Sequence, residues 1–236
     1  MSSDNIKTKL FLLAHAGGNV WEYKTLFSEL SNMAELIPVE LPADAVSISR
    51  KGYSTFEEYV NEACRIIKSR SSDNGKALVF GHSFGGYLAH EVAVGLPELI
   101  NGVVASCCCP YHIYKSPVPE GSSYLEFFGY SSNIPKEIAE LFEPLVADKV
   151  KLVTEYCEKY KDGLHAEKLN IQSEIIYADG DEKACGSEEW FRYYNKDLCS
   201  ISCMHGSHFY WHDDPENKKR LITTVKNMIR RINNDR

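Results

Sequence analysis

Residues 77–93, ALVFGHSFGGYLAHEVA, constrain the fold more than any other stretch. An apolar run, Ala77–Phe80, meets Gly81-His82-Ser83-Phe84-Gly85-Gly86, and a helix-like segment follows. Gly81–Gly85 fits G-x-S-x-G between a strand and a helix, which exposes a serine hydroxyl on a sharp, strained turn. Side chains at the flanking glycines would clash with strand or helix. The new helix points its positive N-terminal end at the site. The Phe84 amide can donate to an oxyanion. Ser83 is therefore the candidate nucleophile; a plain strand–helix turn with an incidental serine is the alternative.

The rest of the chain alternates strands and helices. Leu10–Ala14, Glu35–Glu40, Ala77–Phe80, Val103–Cys107, Ile175–Ala178 and Leu198–Cys203 read as strands. Trp21–Leu30, Thr55–Ser69, Phe84–Gly95 and Pro215–Ile232 read as helices. This alternation argues for an α/β fold with a mainly parallel sheet flanked by helices. Residues 110–170 break the pattern. They are rich in Pro, Tyr, Glu and Lys, and Pro135–Leu141 and Leu145–Tyr160 read as two helices. The expectation is one domain over residues 1–236 with a helical insertion at 110–170 above the sheet.

A serine nucleophile needs a base, and the base needs an orienting carboxylate. In chain order these follow the serine as Asp or Glu, then His, on loops after late strands. Strand Ile175–Ala178 runs into Asp179-Gly180-Asp181-Glu182, where Asp181 is the first choice and Asp179 the alternative. Strand Leu198–Cys203 leads to Met204-His205-Gly206-Ser207-His208. Gly206 lets the backbone turn and lift His208 toward the serine; His205 and His212 compete. His208 and His212 are four apart, but Gly206 and Ser207 do not favour a helix and no H-E-x-x-H is present, so no metal site is expected. His15, His82, His90, His112 and His165 read as structural or surface residues. Earlier, the first strand ends at His15-Ala16-Gly17-Gly18, small residues that let main chain approach a substrate carbonyl. Ala16 is the candidate second oxyanion donor, with Gly17 as the alternative. A phosphate loop would need a Lys-Ser/Thr or a third glycine here.

Bulk properties narrow the partners. The 236 residues are 44% hydrophobic and 25% charged, with a net charge of −7 and no basic stripe, which argues against nucleic acid. No run approaches a membrane span, and the N-terminal apolar run is too short for a signal-peptide core, so a cytoplasmic protein off the membrane is expected. Eight cysteines in such a length do not suggest a disulfide scaffold. The adjacent Cys107, Cys108 and Cys109 read as small buried residues at a strand end.

Taken together, these stretches resemble the type II thioesterases of nonribosomal peptide and polyketide synthesis, within the α/β-hydrolase superfamily. "FLLAHAGGN", "VFGHSFGGYLAHEVA", "EPLVADKVKLVTEYCEKY", "YADGDEKAC" and "GSHFY" are similar to the family's successive motifs. Phe84 replaces the usual Met, Val146 a common Arg, and Ser207 a second Gly. The resemblance implies a helical lid at 110–170. It implies a Ser83–Asp181–His208 triad that hydrolyses acyl or peptidyl thioesters on the phosphopantetheine arm of a carrier protein. It implies antibiotic-type biosynthesis; the triad mechanism needs no cofactor, and a monomer is the default expectation. A carboxylesterase or an acyltransferase with the same triad is the alternative. Tyr124, Phe127 and Phe128 are candidates to line an acyl channel or to pack the lid.

Overall fold

A computed structural model describes residues 7–44, 51–71, 75–115, 118–119, 121–130, 135–161, 167–181 and 186–234. His165 and Glu182 lie outside the described residues. Six strands form one parallel sheet: β1 (Thr8–Leu13), β2 (Ala34–Pro38), β3 (Ala77–His82), β4 (Gly102–Ser106), β5 (Gln172–Ala178) and β6 (Cys199–Met204). Their spatial order is β2-β1-β3-β4-β5-β6. The chain winds outward from β1 to β2, then returns to place β3 on the other side. The order thus reverses between β1 and β3, and the crevice beyond their carboxyl ends is where ligands bind in open α/β sheets.

Alternation along the strands sorts side chains to two cores. Phe11, Leu13, Val79, Val103 and Ile175 face one layer; Leu10, Leu12, Leu78, Phe80 and Ile176 face the other. The first layer holds α2 (Phe56–Arg70) and α3 (Phe84–Gly95); the second holds α1 (Val20–Leu26) and α7 (Pro215–Asn234). Thr55 closes a capping box with Glu58, which fixes the start of α2 one residue inside the expected helix. The expected Trp21–Leu30 helix is α1 followed by a 3-10 turn over Ser28–Asn32.

Between β4 and β5 lie α4 (Tyr124–Phe127) and α5 (Lys136–Lys159). The two helices expected on either side of Pro144 are a single helix, with Pro144 inside it. A proline forfeits one i→i−4 bond. The buried face of Val146, Lys149, Val150, Val153, Tyr156 and Cys157 seats the helix on the body and outweighs that loss. A buried ion pair reinforces the seat: Lys149 Nζ lies 2.6 Å from Asp44 Oδ1 and 5.1 Å from the centre of the Phe84 ring. The short α6 (Tyr210–Asp213) leads into α7. Among the described residues, no helix is long and apolar enough to cross a membrane.

Candidate active site

Every candidate site residue sits at the carboxyl edge of the sheet. Ser83 joins β3 to α3 with φ 55° and ψ −118°, a conformation that non-glycine residues rarely adopt. Three bonds hold it there: Ser83 N–H donates to Ser106 O at 2.7 Å, and the N–H groups of Gly86 and Tyr87 donate to Ser83 O at 2.8 and 3.3 Å. The glycines are needed by contact. A Cβ on Gly81 would stand 1.8 Å from Gly85 O, and one on Gly85 would stand 2.4 Å from Leu13 O. Phe84 is the first residue of α3, so its N–H has no partner within the helix.

Two loops are knitted together to present the other side chains. Gly180 N–H donates to Gly206 O at 2.9 Å, and Asp179 Oδ1 accepts from Gly206 N–H at 2.9 Å. Ser207 N–H donates to Asp213 Oδ2 at 2.6 Å. Gly206 has φ +124°, the turn for which a glycine was expected. The result sets His208 Nδ1 2.6 Å from Asp181 Oδ2, with the side chains 4% and 0% exposed. A second His–Asp pair lies at the rim. His205 Nδ1 is 2.7 Å from Asp179 Oδ2, but these side chains are 86% and 47% exposed, in solvent rather than in the crevice. Hydrogen bonding to Asp179 raises the His205 pKa and lowers that of Asp179. His212 pairs instead with Glu22 at 3.0 Å.

Ser83, Phe84, Ala16 and His208 line one cavity of about 40 Å³, with Cys107, Cys108, Cys109, Tyr87, Tyr114, Phe128, Val150 and Val153. Phe128 is thus the one member of the expected aromatic trio among those lining residues, its ring 5.3 Å from that of His208. The Ala16 loop is fixed from both sides. Gly18 N–H donates to His15 O at 2.9 Å, and the Tyr130 hydroxyl donates to Ala16 O. Gly17 has φ +72°, and Val146 packs where its Cβ would be.

Against His208 packs a buried pair of histidines, His82 and His15. The His82 ring lies 4.8 Å from that of His208 and 4.5 Å from that of Trp211. His82 Nδ1 pairs with Ser106 Oγ at 3.0 Å, and His15 Nδ1 with Tyr23 Oη at 2.6 Å. Burial above all holds both histidines neutral: the His15 pKa is pushed down to about 3, and that of His82 well below its ordinary value. Of the structural and surface readings the sequence left open, both are buried. Tyr130 and the placement of all three cysteines in the crevice were not legible there; the unusual cysteine triplet was the signal available for the latter.

A buried His–Asp pair that shares a cavity with a strained serine, lined also by Phe84 and Ala16, can perform acyl transfer. Residues 8–105 match the family model of the thioesterase domain. The fold is the α/β-hydrolase fold. The chain is 27% identical over 128 residues to thioesterase TesA of Mycobacterium marinum, covering 52% of the chain and 48% of that relative. The chain thus spans about half the length of the first curated relatives it matches. It is 26% identical over 243 residues to the medium-chain S-acyl fatty acid synthase thioesterase of Anas platyrhynchos, covering 95% of the chain and 93% of that relative. Among solved structures it is similar to YbtT, a type II thioesterase from the yersiniabactin NRPS/PKS pathway. The TM-score is 0.75 at 17% identity, covering 98% of this chain and 94% of that one.

Proposed function

We propose that this protein is a serine thioesterase that hydrolyses acyl or peptidyl groups from the phosphopantetheine arm of carrier proteins. The observation that carries the reading is the buried 2.6 Å His208–Asp181 pair, opening on the same cavity as Ser83 in its strained conformation. The names of relatives from NRPS/PKS pathways support the substrate class.

In this mechanism His208 Nε2 takes the proton of Ser83 as the hydroxyl attacks the thioester carbonyl. Asp181 keeps the remaining proton on Nδ1 and stabilises the imidazolium. The N–H groups of Phe84 and Ala16 receive the oxyanion, each worth roughly 3 kcal/mol. His208 returns its proton to the departing thiol, then activates water against the acyl-serine. Apolar walls strengthen every charge interaction inside. Residues 110–170 serve as the lid, since they contribute Phe128, Val150 and Val153 to the lining of the cavity. A larger cavity of about 540 Å³ borders the same loops, at Gly17, Tyr130, Phe142 and Phe209, and offers room for the extended arm. The enzyme acts as a cytoplasmic monomer without a cofactor.

The test is deacylation of an acetyl-phosphopantetheine carrier, followed by intact-protein mass spectrometry, with p-nitrophenyl acetate as the oxygen-ester control. Rapid loss of acetyl that outpaces ester cleavage in kcat/KM and vanishes in Ser83→Ala is expected. Brisk ester cleavage with no carrier deacylation would sink the reading and leave a general esterase.

A further inference from the structure

The three adjacent cysteines take no part in the chemistry above, yet all three reach the cavity of Ser83. Their main chain is firmly held. Cys107 N–H donates to Ile176 O at 2.7 Å, and Trp190 Nε1–H donates to Cys108 O at 3.0 Å. Cys109 N–H donates to Tyr87 Oη at 3.0 Å. Cys107 has φ +48°, which turns the chain sharply where β4 ends. Its Sγ, a carboxylate oxygen of Asp181 and a ring nitrogen of His208 all lie within 4.8 Å of one another. All three residues are buried. Among the described residues, this is the one cluster of His, Cys, Asp or Glu that could gather round an ion.

We propose that Cys107, Asp181 and His208 form a binding site for a borderline-soft divalent cation, Zn²⁺ above all, whose occupancy reversibly switches the hydrolase off. The inference rests on reading His208 as the general base. The donor set selects the ion. One thiolate, one imidazole nitrogen and one carboxylate suit zinc, whereas Mg²⁺ and Ca²⁺ demand oxygen. Three protein ligands leave the fourth tetrahedral position facing the cavity, which gives the ion its path in. Charge balances as well. A thiolate and a carboxylate offset the two charges of the ion, so a neutral assembly occupies a dry pocket, as burial requires.

The shut-off follows from proton bookkeeping. On binding, the Cys107 thiol releases its proton to solvent. The metal takes the Nδ1 lone pair, so the single proton of the neutral imidazole resides on Nε2. Nε2 then donates instead of accepting and cannot receive the Ser83 proton. No oxidant or reductant is involved, and a chelator reverses every step.

Two readouts test this on the 236-residue protein stripped of metal. The first is titration with Co²⁺, watching for the thiolate-to-cobalt charge-transfer band in wild type, Cys107→Ser, Cys107→Ala and Cys203→Ser. The last is a control at an exposed cysteine. The band is expected in wild type and Cys203→Ser and absent from both Cys107 variants. The second is carrier deacylation in micromolar Zn²⁺, each variant against its own metal-free rate. Wild type is expected to lose activity and regain it with EDTA, and Cys107→Ala to tolerate at least about tenfold more zinc. A band that persists in both folded Cys107 variants, or equal zinc sensitivity of wild type and Cys107→Ala, would overturn the proposal. The cobalt band needs no substrate, so its outcome stands apart from whether the chain is a thioesterase. Should neither Cys107 variant fold, His208→Ala must weaken Co²⁺ binding, and unchanged binding overturns the site.

Discussion

Replacing Asp181 by asparagine keeps the shape of the site and removes its charge. The structure sets the expected size of the effect. Asp181 and the His208 ring meet at 2.6 Å with almost no solvent between or around them. When His208 becomes an imidazolium, the charge centres stand roughly 4 Å apart, worth about 4 kcal/mol at an effective dielectric of about 20. That is about three decades in rate. Asparagine also turns an N–H toward Nδ1, which drives the imidazole proton to Nε2 and disables the base. Together these predict a fall in kcat of about 10³–10⁴, with KM little changed. The assay is single-turnover carrier deacylation beside urea unfolding, which must give nearly the wild-type midpoint. Asp179→Asn is the internal contrast, because Asp179 faces an exposed histidine outside the crevice. Its rate should stay within about threefold of wild type, since exposed pairs contribute about 0–1 kcal/mol. A loss under about tenfold in Asp181→Asn, or a larger loss in Asp179→Asn, would refute the assignment of the orienting carboxylate.

Four further outcomes are expected. Gly81→Ala should cost more than about 4 kcal/mol in urea unfolding or abolish soluble expression, because its Cβ would meet Gly85 backbone at 1.8 Å. Lys149→Ala should cost about 3–5 kcal/mol, because it leaves Asp44 buried without its partner; burial already raises the Asp44 pKa. Tyr130→Phe frees the Ala16 carbonyl and loosens the oxyanion loop, and should lower kcat about tenfold with KM held, as steady-state kinetics would read. His15 predicts a pH dependence of stability. Its folded pKa of about 3 lies below the unfolded value of about 6.5, so between these the unfolded chain binds the extra proton. Its contribution therefore falls by roughly 1.4 kcal/mol for each pH unit below about 6.5, and His15→Gln should flatten that slope in denaturant melts.

The elbow was legible because its requirements are local. Strand Ala77–His82, the strained Ser83 and helix Phe84–Gly95 follow from residues within 20 positions of one another, and the glycines are demanded by backbone contact. The strand order could be read only as parallel α/β, since which strands adjoin depends on crossovers that no local pattern records. Asp181 and His208 were chosen from the turn chemistry of Gly180 and Gly206, and the structure brings the two side chains to 2.6 Å. What separates Asp181 from Asp179 is burial, a property of the assembled loops. The continuous α5 was missed because Pro144 is a strong local signal against a helix, whereas the face that overrides it is tertiary. Tyr130 reaches Ala16 across 114 positions, and Cys107 reaches Asp181 from the end of the neighbouring strand; neither contact has a sequence signature.

The most direct measurement is rapid quenching of the protein with an acetyl-carrier substrate, followed by intact-mass detection of a covalent acyl adduct and peptide mapping of the modified residue. The account predicts one acetyl group, carried on Ser83, that appears before steady state and is absent from Ser83→Ala. Acetyl mapped to a cysteine of the 107–109 triplet, or full turnover by Ser83→Ala, would contradict it.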